Sequence, residues 1–83
     1  MMTLGRFFKT KRFFTDMTLK QVVEKAKADY NFSTSTSALS SLETDKTKIV
    51  DGRLIMVLAK MYRVDLEEVQ RIILLNLKKE GND

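Results

Sequence analysis

At 83 residues, with 43% hydrophobic content, three glycines and no proline, the chain has the composition of one small, mainly helical domain spanning residues 1–83. It contains neither Cys nor His, which removes thiol nucleophiles, disulfides, the usual zinc ligands and the commonest general base, so neither enzymatic chemistry nor a metal or other cofactor is expected. The net charge of +4 is skewed: Met1 to Tyr30 carries seven Lys or Arg against three Asp or Glu, and the rest sums to zero.

That skew favours a polyanionic partner, with an ordinary solvated surface as the competing reading. A single core of this size supplies only roughly 3 to 5 kcal/mol, so association between subunits is a natural expectation. Met1 to Phe14 holds no apolar run long enough for a signal peptide or a membrane span. A cytosolic protein of a cell without a nucleus, with no membrane partner, is expected.

Thr3 is placed to cap a first helix in which Leu4, Phe7 and Phe8 share one face, Arg12 continues that face, and Arg6, Lys9 and Thr10 stay outside. The pattern runs out near Arg12. Phe13 and Phe14 then read as core packing at the helix exit rather than as a base-stacking platform. Thr18 and Gln21 form a capping-box signature with Met17 and Val22 spaced as a hydrophobic staple, so a second helix begins at Thr18. Its apolar face is Leu19, Val22, Val23 and Ala26, with Lys20, Glu24, Lys25 and Lys27 outward, and it can extend to Tyr30.

Asn31 to Ser37 is polar at six of seven positions, and five of those are Ser or Thr. Such residues compete with helical hydrogen bonding until one becomes a cap. The cap is expected at Ser35, with Ser33 as the alternative, and a flexible loop is the competing reading of the whole run. A third helix then reaches about Glu43, with Ala38, Leu39 and Leu42 inward and Thr36, Ser37, Ser40 and Ser41 outward or at the edges. Asp45 is a candidate left-handed stop.

Asp51 caps a fourth helix, Val50 and Ile55 form its staple, and Leu54, Ile55, Leu58, Ala59 and Tyr62 supply a wide apolar face. Val64 to Val69 repeats the arrangement, with a capping box from Asp65 to Glu68. The fifth helix, over about 65–80, carries Leu66, Val69, Ile72, Ile73, Leu74, Leu75 and Leu77, a band wider than one face of a small domain covers. A second copy in a two-fold dimer is the simplest cover, each buried apolar side chain contributing roughly 1.5 to 3 kcal/mol. Ile73, Leu74 and Leu77 are the expected interface.

Five helices with a short polar third helix describe a helix-turn-helix arrangement. Gly5-x-x-Phe8-Lys9-x-x-Arg12, Thr18-x-x-x-Val22-Val23, Ala38 to Glu43, Lys46-Thr47-Lys48 and Leu58 to Val69 occur in the order and spacing of one family. From Gly5 to Val69 the chain resembles the phage-repressor and Cro type of lambda-repressor-like helix-turn-helix regulators. The resemblance implies an all-α fold of five helices, duplex DNA as partner, and an ion pair between Arg12 and Glu43 that is architectural. It implies base contacts from Thr36, Ser37 and Ser41, to which the outward position of Ser40 adds a fourth hydroxyl.

Phosphate contacts are expected from Thr18, Lys20, Ser35, Lys46 and Lys48, with Lys9, Lys11 and Lys27 more peripheral. Two departures stand out. About six extra residues near Ala28 to Ser33 extend the loop between the second and third helices, and Leu19 stands where the family has a phosphate-binding Gln. Hydroxyls make no bidentate base contact, so specificity leans on DNA shape, half-site spacing, or Tyr30 and Asn31 of the long connection. The expected function is a dimeric, sequence-specific repressor of phage, plasmid or bacterial origin acting by promoter occupancy. The alternative is a protein-interaction module, an antirepressor or adaptor, that keeps the fold without reading DNA.

Overall fold

The computed structural model describes residues 2–81, and these form five α-helices: α1 (Leu4–Phe14), α2 (Leu19–Tyr30), α3 (Thr36–Glu43), α4 (Gly52–Met61) and α5 (Leu66–Gly81). No strand occurs among the described residues, and no helix is long and apolar enough to cross a membrane. Every start follows from local chemistry. Thr3, Thr18, Ser35 and Asp51 cap the first four helices through their side-chain oxygens, and the Thr18–Gln21 capping box is reciprocal. At α5, Asp65 Oδ1 accepts from the Glu67 amide at 3.0 Å, so the start is a plain Asp cap rather than a box closed by Glu68.

The stops of the first four helices are made without glycine. Asp16, Asn31, Asp45 and Arg63 all take positive φ, between 52° and 59°. At Asp16, Asp45 and Arg63 the following amide bonds back five residues, to Arg12, Ser41 and Ala59, while the left-handed residue bonds back three. This is the Schellman pattern, which satisfies the last carbonyls of α1, α3 and α4. It also reverses the chain sharply after each of them.

The core is built from Phe7 and Phe8 of α1, Val22 and Ala26 of α2, Leu39 and Leu42 of α3, five α4 positions through Met61 with Tyr62, and Val69 and Ile72 of α5. Phe7 and Phe8 meet edge to face at 5.4 Å, and burial pushes the Tyr62 phenol well above its ordinary range. Helix α1 packs on α3 and α5, and α3 also packs on α2. The approach is close at Gly5, where a Cβ would stand 2.0 Å from the Leu42 carbonyl oxygen. Only the absent side chain lets α1 lie against the end of α3.

Several expectations are corrected. Helix α1 continues past Arg12 to Phe14, which carries Phe13 about 140° round from Phe8 and away from the core face. Phe13 is therefore 60% exposed instead of packed inside, and Phe14, the last residue of the helix, is 78% exposed. Ala38 is exposed, because α3 is so short that Leu39, Leu42 and Glu43 make up its whole inward face. Ala28 to Tyr30 lengthen α2 by most of a turn, leaving only Asn31 to Ser35 as the connection to α3. Leu66 is half exposed at the start of α5, and Met61, not assigned to the core from the sequence, lies within it.

Candidate nucleic-acid interface

Three side chains from three parts of the chain fix the N-terminus of α1. Thr3 Oγ1 accepts from the Arg6 amide, Asp45 Oδ1 from the Gly5 amide, and Asn76 Oδ1 from the Leu4 amide. Each orphan donor of the first turn thus has its own acceptor. The Thr3 hydroxyl also donates to the second Asp45 oxygen, and Asn76 Nδ2 donates to the Met2 carbonyl. Asp45 and Asn76 are structural residues that the sequence reading passed over in this role; an amide inside the Leu74 to Leu77 run was the available signal.

The other end of α1 is tied to α3 by Arg12 and Glu43. Arg12 Nε donates to Glu43 Oε2 at 2.7 Å and Nη2 to Oε1 at 2.9 Å, a bidentate pair whose side chains are 10% and 6% exposed. Nη1 donates to the Met17 carbonyl at 2.9 Å, and the guanidinium lies 4.8 Å from the Phe13 ring centre. Phe13 is a lid on this pair rather than part of the core. Hydrogen bonding to the Glu43 carboxylate raises the pKa of the Arg12 guanidinium above its ordinary value.

With its inner face held by Leu39, Leu42 and Glu43, α3 turns Thr36, Ser37, Ala38 and Ser40 to solvent, and Ser41 is half-buried. The Ser35 hydroxyl oxygen accepts from the Ala38 amide at 3.0 Å, and the Thr18 oxygen accepts from the Gln21 amide at 3.1 Å. Both hydroxyl hydrogens are left able to donate outward. Lys20, Lys46 and Lys48 are exposed, and none enters an ion pair among the described residues. Lys9 and Lys11 lie near the Phe13 and Phe14 rings, at 5.9 and 6.0 Å, on the free end of α1.

Tyr30 and Asn31 are occupied elsewhere. Tyr30 packs against the core, while Asn31 is the left-handed cap of α2 and its Oδ1 accepts from Lys27 Nζ at 3.1 Å. That contact also engages Lys27. The connection between α3 and α4 instead presents Ile49, 90% exposed, beside the outer face of α3. Elsewhere on the surface, Leu74 and Leu77 of α5 are each 57% exposed, Leu75 is 45% exposed, and Ile73 is half-buried against the core.

Comparison with protein-family models, with curated proteins and with solved structures finds no match to this chain.

Proposed function

We propose that this chain is a sequence-specific DNA-binding regulator in which α2 and α3 act as a helix-turn-helix unit and α3 lies in the major groove. The observation that carries the reading is the division of α3. Leu39, Leu42 and Glu43 are buried and hold the helix in place, while Thr36, Ser37, Ala38 and Ser40 are exposed and have no part in the core. An exposed helix of small hydroxyl side chains, held rigidly by a bidentate ion pair and bounded by lysines, suits close approach to a polyanion.

In this reading the exposed Thr36, Ser37 and Ser40, with the half-buried Ser41 beside them, contact base edges. Lys20, Lys46 and Lys48 neutralise phosphates, joined by the Thr18 and Ser35 hydroxyls. Two copies pair through the exposed part of α5, with Leu74 and Leu77 at the centre and Ile73 at its edge, and the pair occupies a promoter by steric exclusion. The lambda-repressor-like fold, the cytoplasmic location and the repressor role belong to this proposal.

A gel-shift series against fragments of the source genome, repeated across salt concentrations, tests it. Six phosphate contacts in a dimer correspond to a slope of log K on log salt of about −5, from roughly −0.9 per contact. Absent binding, or binding indifferent to salt, eliminates the proposal. A second reading, a protein-interaction module, is favoured by the apolar groove between α4 and α5, where Met56, Leu66 and Leu74 are all at least half exposed. It predicts a partner protein and no DNA shift.

A further inference from the structure

Ile49 is the most exposed large hydrophobic side chain among the described residues, at 90%. It takes no part in the core cluster, although its neighbour Val50 packs against that cluster. Together with Ser37, Ala38 and Ser41 on α3 and Thr47 on its own loop, Ile49 lines an open concavity on the side where α3 faces outward. Hydroxyl and methyl groups thus share one surface.

We infer that Ile49 is a specificity-determining residue that seats the 5-methyl group of thymine, with Ala38 and Thr47 completing the methyl-lined side of the pocket. The inference rests on the duplex-DNA reading and names what that reading lacks, a way for an α3 without Arg, Gln or Asn to choose bases. The major-groove edge of an A·T pair presents N7, the N6 amino group, O4 and the C5-methyl group. Ser37 and Ser41 can donate to or accept from the polar atoms of that edge. The methyl group needs apolar contact, which no hydroxyl supplies and Ile49 does.

The surrounding charge fits the same occupant. Lys46 and Lys48 precede Ile49 on the loop and are exposed. Asp51, the carboxylate on the rim of the concavity, is engaged by Arg53, whose Nη2 donates to Asp51 Oδ2 at 3.1 Å and whose amide donates to Oδ1 at 2.8 Å. The one acidic group lining the concavity is thus paired with a cation, and the two lysines of the same loop have no ion-pair partner among the described residues. The 5-methyl group also separates thymine from uracil, so this site would distinguish DNA from RNA of the same sequence.

The test selects bound duplexes from a random library with the full chain, then replaces thymine by uracil one position at a time in the preferred site. The series is repeated for Ile49→Ala. That variant keeps the melting temperature of the wild type, because a side chain this exposed adds nothing to the core. The expected result is a thymine whose methyl removal weakens the wild-type chain about fourfold, the equivalent of one buried methyl group, and leaves Ile49→Ala unaffected. If uracil weakens both proteins equally at every position, or neither at any, the inference is overturned while DNA binding stands. If no duplex is enriched at all, the DNA reading falls and the inference falls with it.

Discussion

Glu43 has both carboxylate oxygens taken by Arg12, and the guanidinium has a third donor on the Met17 carbonyl and its face on Phe13. A pair this dry contributes little net stability as a unit, because desolvation offsets attraction, but breaking it from one side strands a charge. Glu43→Ala should therefore cost about 3 to 5 kcal/mol, comparable to the whole stability of a domain this size, and leave little cooperative transition in urea. Replacing both partners, Arg12→Met with Glu43→Leu, should recover most of that loss. A single variant as stable as the wild type would show that the pair is not buried in solution. From the sequence the pairing followed only through resemblance; the lid formed by Phe13 did not follow at all, since it depends on where α1 ends.

At the scale of elements, the helix stops are the unusual feature. Arg63 and Asp45 hold nearly the same left-handed conformation, at φ 57° and 59°, yet differ in what their side chains do. Arg63 is exposed, while Asp45 accepts from the Gly5 amide and the Thr3 hydroxyl on another helix. Glycine removes the steric penalty of this conformation, which is about 1 kcal/mol or more for other residues. Arg63→Gly should thus stabilise by about 1 kcal/mol, a rise in melting temperature of roughly 4 to 8 °C. Asp45→Gly should gain the same relief but lose two hydrogen bonds and orphan a part-buried amide, for a net loss of about 1 to 2 kcal/mol. Thermal melts that move in the same direction for both would refute the account of Asp45 as a clamp.

For the whole molecule, the question is what covers α5. Val69 and Ile72 are spent on the core, and Leu66, Leu74, Leu75 and Leu77 remain outside it. The helix is acidic in its first turn, at Glu67 and Glu68, and basic in its last, at Lys78 and Lys79. Antiparallel pairing of two copies would place these opposite ends together, which suits an isologous interface. Leu74→Lys combined with Leu77→Lys should give a folded monomer with much weaker DNA binding; Ile73 is left intact because it also packs against the core. Sedimentation of the unmodified chain decides the premise, since a monomer at high concentration would end the dimer proposal.

What the sequence determined by itself was local. The caps at Thr3, Thr18, Ser35, Asp51 and Asp65, the five helices they start, and the buried faces of α2 and α4 follow from short-range hydrogen bonding and helical periodicity. Both act within a few residues and are written in the chain. Tertiary structure decided whatever depends on neighbours distant in sequence. The outward turn of Phe13 depends on α1 running one half-turn further, and the exposure of Ala38 on how little of α3 its neighbours cover. The three acceptors at the start of α1 come from residues 3, 45 and 76, and the approach of Gly5 to Leu42 joins segments 37 positions apart. Ile49 belongs to the same group: the Asp51 cap and its staple already turn Val50 inward, but only the packed loop leaves Ile49 exposed beside α3.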